Sequence, residues 1–250
     1  MTEPTSSGAD AELPPPSASS TAASPASASV WEDFIDIFYA PSAVFERRSN
    51  SGFIIPMLVV VVAVGALFLV NSAVWGPIMD SEMARSMAKQ PELKPEQIEA
   101  MRKAGPMIGK ISIVIGTPIA IFLTGLGLWL VGKFFDAKQR LGQAVMVAAY
   151  ASVPRIVEGV VTAVQGLLLD PSQFTGRFRV SLGVGRFLDP DATSPKLLAL
   201  VGRIDVFTIW VTVLLAIGLA VTGKIPRARA AVAGAVLWCL GAVLVVLLAR

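Results

Sequence analysis

Ser152, Arg155, Glu158, Thr162 and Gln165 follow one another at steps of three or four residues, the spacing that puts side chains on one face of a helix. The stretch that carries them, Leu141 to Leu169, is otherwise apolar enough to enter a bilayer. An arginine and a glutamate three residues apart in such a setting can form a local ion pair, or can mark a path along which an ion or polar solute crosses. Both readings stay open on the sequence. Leaving either charge against lipid costs at least about 2.5–3.5 kcal/mol, so Arg155 and Glu158 must face protein or each other.

Other reactive groups are scarce. The chain has no histidine and one cysteine, Cys239, which removes the commonest general base and argues against disulfides and the usual zinc sites. Cys239 lies in an apolar run and reads as a small core residue. No catalytic, cofactor-binding or metal-binding residue is predicted, and the expectation is a protein that is not an enzyme. A net charge of +3, with its basic residues spread over short loops, does not suggest a nucleic-acid partner.

The elements that must position the polar face are membrane helices. The chain is 54% apolar and 16% charged. Apolar runs at 53–75, 111–132, 204–222 and 230–249 each approach the ~20 residues a helix needs to cross. With 141–169 they predict an all-α, polytopic bundle of five transmembrane helices. A straight 29-residue helix would run ~43 Å against a hydrocarbon core of ~30 Å. Pro154, which lacks a backbone donor and crowds the preceding turn, is the expected break.

Residues 1–29 are rich in Ser, Ala and Pro, contain no Lys or Arg, and read as a disordered tail ahead of a membrane domain over 30–250. Next comes a short amphipathic helix. Trp31, Phe34, Ile35, Phe38 and Tyr39 share a face, with Glu32, Asp33 and Asp36 away from it, so this helix is expected at the membrane interface. A polar loop over 76–110 predicts two short surface helices around Pro91 and Pro95. Gly116, Ala120 and Thr124, four apart, predict close helix packing. FRVSLGVGRF, from Phe178, alternates enough to suggest a hairpin, weakened by Gly183 and Gly185.

Basic residues near span ends decide orientation. Arg47, Arg48, Lys133, Lys138, Arg140, Lys224, Arg227 and Arg229 fall on one side; those of the two long loops and Arg250 fall on the other. The two short turns are far the denser, which favours a cytoplasmic amino terminus.

Three segments in order, DFIDIFYAPSAVFERR before the first span, YASVP at Tyr150 to Pro154, and DVFTIWVTVLLAIGLA at Asp205 to Ala220, resemble the Yip family (Ypt-interacting proteins), specifically its bacterial branch. The resemblance covers roughly 31–249. It implies a five-span integral membrane protein with a cytoplasmic amino terminus, with Tyr150 and Pro154 as family-type positions. In eukaryotes it would imply binding of small Rab-type GTPases and a role in vesicle transport; a bacterial member would sit in the inner membrane. The expected function is a non-enzymatic organiser or scaffold whose partners are the lipid bilayer, a second copy, or other membrane proteins. The alternative is a small-solute or ion transporter using the polar face of the third span.

Overall fold

The computed structural model describes residues 29–249 apart from 91 and 93. The predicted tail therefore lies outside the described residues, save for Ser29. Among the described residues ten α-helices are present and strands are absent. Four helical stretches, Met107–Phe134, Leu141–Leu168, Val206–Gly223 and Arg227–Leu248, are long and apolar enough to cross a membrane, and a bent pair becomes a fifth if taken as one span.

The chain begins with two short helices, α1 (Val30–Tyr39) and α2 (Pro41–Arg48). Ser29 caps α1 through a reciprocal bond pair with Glu32, satisfying donors that the first turn leaves open. Pro41 then opens α2, where its missing N–H costs nothing. Helix α3 (Ile54–Val70) comes next, followed after an 81° bend by α4 (Ser72–Ala88). At the corner Asn71 is buried, and its Nδ2 donates to the carbonyl of Gly159 at 2.9 Å. The apolar run predicted to end at Trp75 thus ends its straight course at Asn71.

The two short helices predicted within 76–110 are present on either side of the break, but as parts of longer helices. They extend α4 and begin α5 (Pro95–Phe134), a single 40-residue helix. EQIEAMRKA contains strong helix formers throughout, and the helix continues through Pro106 and Pro118, each of which leaves one backbone bond unmade. After a tight turn come α6 (Leu141–Ala151) and α7 (Pro154–Leu168), then α8 (Pro195–Val201), α9 (Val206–Gly223) and α10 (Arg227–Leu248). Segment 170–194 forms short 3₁₀ turns at Pro171–Gln173, Arg177–Val180 and Val184–Phe187. The predicted hairpin does not form: Gly183 makes one isolated antiparallel bridge with Asp205, and no neighbouring strand pairs with the alternating residues.

Helix α6 is the pillar of the bundle. Every residue from Ala144 to Ala151 is buried, and α5, α9, α3 and α1 all pack on it. Its alanines let the surrounding backbones come close. A Cβ on Gly125 of α5 would lie 2.6 Å from the Val145 Cα, and one on Gly218 of α9 would lie 2.2 Å from Val147 Cγ1. The expected stripe of Gly116, Ala120 and Thr124 does not make such a contact, since a Cβ on Gly116 would meet nothing within 4 Å. Cys239, expected in the core, is exposed on the outer side of α10.

One end of the bundle is tied by side chains. Buried Gln139 donates from Nε2 to the Leu128 carbonyl at 3.3 Å and accepts from Thr222 Oγ1 at 2.8 Å. The Lys138 N–H donates to the Gly223 carbonyl at 2.9 Å, and Gln143 Nε2 donates to the Ser49 carbonyl at 2.9 Å. These bonds bring the α5–α6 turn, the α9–α10 turn and the start of α3 to the same end.

Candidate functional site

The polar face predicted on the third span is assembled where α6 gives way to α7. The helix is interrupted at Ser152 and Val153, immediately before buried Pro154, which becomes the first residue of α7. Ser152 Oγ donates back to the Ala148 carbonyl at 2.7 Å. That restart places Arg155 and Glu158 one turn apart at the amino-terminal end of α7. Arg155 Nη1 donates to Glu158 Oε2 at 2.7 Å, and Nη2 donates to Thr208 Oγ1 at 3.3 Å. Thr208 is held in turn by Asp205, whose Oδ1 caps α9 by accepting from the N–H groups of Phe207 and Thr208 at 2.9 and 3.3 Å.

Ser152, Arg155, Glu158 and Thr162 all line one cavity of about 420 Å³ bounded by α3, α5 and α7. Thr162 Oγ1 donates to the Glu158 carbonyl at 3.0 Å. Gln165 completes the stripe in sequence but does not line this cavity. Its Nε2 donates to the Val180 carbonyl at 2.9 Å, fixing a 3₁₀ turn, while its Oε1 is buried without a bond. The unpacked stripe on α5 also gains an explanation: Ala120 and Thr124 line this space, so their small side chains leave room where a neighbour was expected. Among the described residues no three of His, Cys, Asp or Glu converge. The polar residues lining the cavity include two arginines, one glutamate, several hydroxyl-bearing residues, Asn71 and Trp75.

Across the pillar lies a second polar cluster, which the sequence reading missed. Asp33 has no exposed surface. Its Oδ1 accepts from Arg47 Nη2 at 2.6 Å, its Oδ2 accepts from Arg48 Nε, and the Tyr150 hydroxyl donates to Oδ2 at 3.2 Å. Arg47 also bridges to Asp36 at 2.6 Å. The bond to Asp36 raises the Arg47 pKa above its ordinary value, burial opposes that rise, and Asp33 adds to it. Tyr150 and Pro154 therefore stand on opposite sides of the break, one facing this cluster and the other opening α7.

Helix α1 forms as an amphipathic helix, and part of its apolar face packs on the bundle. Asp33 and Ile37 turn inward and are fully buried. Phe34 packs on Tyr150 with ring centroids 5.6 Å apart, and Phe38 meets Trp210 edge-on at 5.3 Å. Trp31, Ile35 and Tyr39 point away from the bundle, at 70%, 64% and 85% exposure. A signal for the cluster was present: residues 33 and 48 lie equally far from the Ala40–Pro41 turn, so an antiparallel helix pair must bring them together.

The electrostatics near Arg155 are unbalanced. Arg203, in the α8–α9 connection, lies over the Trp238 ring at 6.0 Å and its Nε is buried without a bond. Burial, and next the charge of Arg155, push its pKa down. Glu158 thus answers Arg155 directly, while no acid among the described residues pairs with Arg203.

Comparison with protein families matches the Yip1 domain over residues 35–248. None of the curated proteins and none of the solved structures matches the chain. The match runs from the middle of α1 to the end of α10, taking in both polar clusters except Asp33. With most of its length matched and its apolar helices fit to cross a bilayer, the chain belongs to the Yip1-domain family of polytopic integral membrane proteins.

Proposed function

We propose that this protein is a non-enzymatic membrane scaffold that gathers other membrane proteins, or further copies of itself, around a fixed bundle. The observation that carries the reading is the outward stripe of α1. Asp33 ties α1 to the two arginines of α2, and the Tyr150 hydroxyl and ring hold α1 to the pillar, so Trp31, Ile35 and Tyr39 are presented on a backbone that cannot swing freely. Aromatic groups on a preorganised helix lose little entropy when a partner covers them. Small GTPases enter as partners only if a eukaryotic-type role applies.

The same reading places the protein in a bacterial inner membrane with its amino terminus in the cytoplasm. Its support is the tied end of the bundle, where the turns carrying Lys138, Arg140 and Lys224 adjoin the start of α3, because basic residues close to span ends favour the cytoplasmic side. Tags at each terminus, probed for accessibility in intact cells, test the orientation.

The scaffold role is tested by crosslinking and copurification from native membranes. Trp31→Ala with Tyr39→Ala should lose neighbours that the unaltered chain captures, at equal accumulation. Reconstitution in liposomes supplies the opposing result: ion or solute flux abolished by Glu158→Gln would overturn the scaffold reading in favour of transport.

A further inference from the structure

We infer that the cavity bounded by α3, α5 and α7 is a binding site for one membrane lipid with an anionic phosphate headgroup. Its volume of about 420 Å³ falls within the range of ~300–1,000 Å³ in which small molecules are held. The inference is independent of the scaffold role, since it concerns a different face of the bundle from the α1 stripe.

The lining has two chemically distinct ends. Val60 and Val64 of α3, with Ile121 of α5, form an apolar wall. Arg155 of α7 and Arg177 of the second 3₁₀ turn supply the polar end. Ser152 and Thr162 already give their hydroxyl protons to helix carbonyls, so, beside the neutral hydroxyls that Thr117, Thr124 and Ser181 add to the lining, the charged donors left for a ligand are guanidinium N–H groups. Two of the five that Arg155 carries are engaged by Glu158 and Thr208. Among the described residues no acid pairs with the Arg177 guanidinium, which lies over the Phe178 ring at 4.8 Å. Glu82, bonded by the Arg177 backbone N–H at 3.3 Å, is engaged by Arg85 at 3.2 Å.

Charge and shape together select the ligand class. Two arginines against one glutamate in the lining leave a positive balance, so the polar end calls for an anion. A guanidinium fork matches phosphate oxygens. A free inorganic anion would leave the apolar wall wet, and a neutral hydrocarbon would leave the guanidiniums unmatched. An amphiphile meets both demands. Trp75 also lines the cavity, and tryptophan favours the level of lipid headgroups. Ala120 lines the space and is itself exposed, giving an acyl chain a lateral way in.

The full chain, purified in mild detergent, is titrated with phosphatidylglycerol and with phosphatidylcholine of the same acyl chains, and bound lipid is counted by native mass spectrometry. One phosphatidylglycerol per chain is expected, held about tenfold more tightly than phosphatidylcholine. Arg177→Gln should weaken it about tenfold, as loss of a charged hydrogen bond does. Ala120→Phe, which fills the opening, should remove it with helical content unchanged. Phosphatidylglycerol with brominated chains should quench a fluorescence component that disappears in Trp75→Phe. Inorganic phosphate alone is expected not to displace the lipid; displacement would show a free-anion site and overturn the proposal. Equal retention of both lipids, or retention unaltered by Ala120→Phe, would overturn it as well.

Discussion

Replacing Asp33 by Asn keeps the shape of the side chain and removes the charge that two arginines share. Asp33 is fully buried, while the side chains of Arg47 and Arg48 keep 33% and 19% of their exposure. Breaking a buried ion pair costs ~3–5 kcal/mol. Both arginines can recover part of their hydration, and Arg47 retains Asp36 at 2.6 Å, so the expected loss is about 2–3 kcal/mol. That loss falls on the pairing of α1 with α2 and, through Tyr150, on their docking against α6 rather than on the spans. Hydrogen exchange of the chain in nanodiscs, read by mass spectrometry over 30–48, should therefore accelerate about 30- to 160-fold. Exchange in α9 and α10 should hold at the starting rate. Tyr150→Phe, which removes one bond of 3.2 Å, should cost about 1 kcal/mol and be non-additive with Asp33→Asn. Exchange over 30–48 within twofold of the unaltered chain, or acceleration spread evenly over the bundle, would refute the reasoning that this cluster is what fastens the helix pair.

Arg155→Ala should reduce accumulation of folded protein by leaving Glu158 without its partner at 2.7 Å, a cost of about 2–3 kcal/mol inside a bilayer; exchanging the two residues should restore part of it, and normal accumulation of both single variants would refute the pairing. Gly125→Ala should lower the thermal midpoint in detergent, because the new Cβ would lie 2.6 Å from the Val145 Cα, an overpacking cost of ~1–3 kcal/mol. The same change at Gly116, where nothing lies within 4 Å, should be neutral or stabilising through helix propensity. Asp205→Ala should cost about 1 kcal/mol of stability by uncapping α9, measured by denaturant unfolding; an unchanged midpoint would show that α9 does not need its cap.

Much of the path from residue pattern to site was local and therefore legible. A period of three to four on an apolar background requires one polar helix face, and four of its five members line the same cavity. Pro154 requires a break, and the helix is interrupted at the two residues before it. The failures were also physical. Between 76 and 110 helix on both sides of a proline turn was legible from propensity, but not that each piece continues an apolar helix rather than standing as a short one. The alternation around Gly183 could form a strand only with a neighbour to pair with, and the fold supplies a single bridge.

The α1 helix marks the boundary most clearly. Its apolar arc runs from Ile37 through Phe34 and Phe38 to Trp31, Ile35 and Tyr39, wider than one contact face can cover. Sequence alone determined that this segment is an amphipathic helix, that apolar stretches of bilayer length follow it, and that Arg155 and Glu158 must be hidden from lipid, since these depend on neighbours within a turn or two and on the cost of exposing charge to hydrocarbon. Which edge of the arc met the bundle, and that Asp33 went in with it to meet Tyr150, 117 residues away in the chain, was decided only when the alanine-lined pillar brought distant helices close enough for their side chains to choose partners.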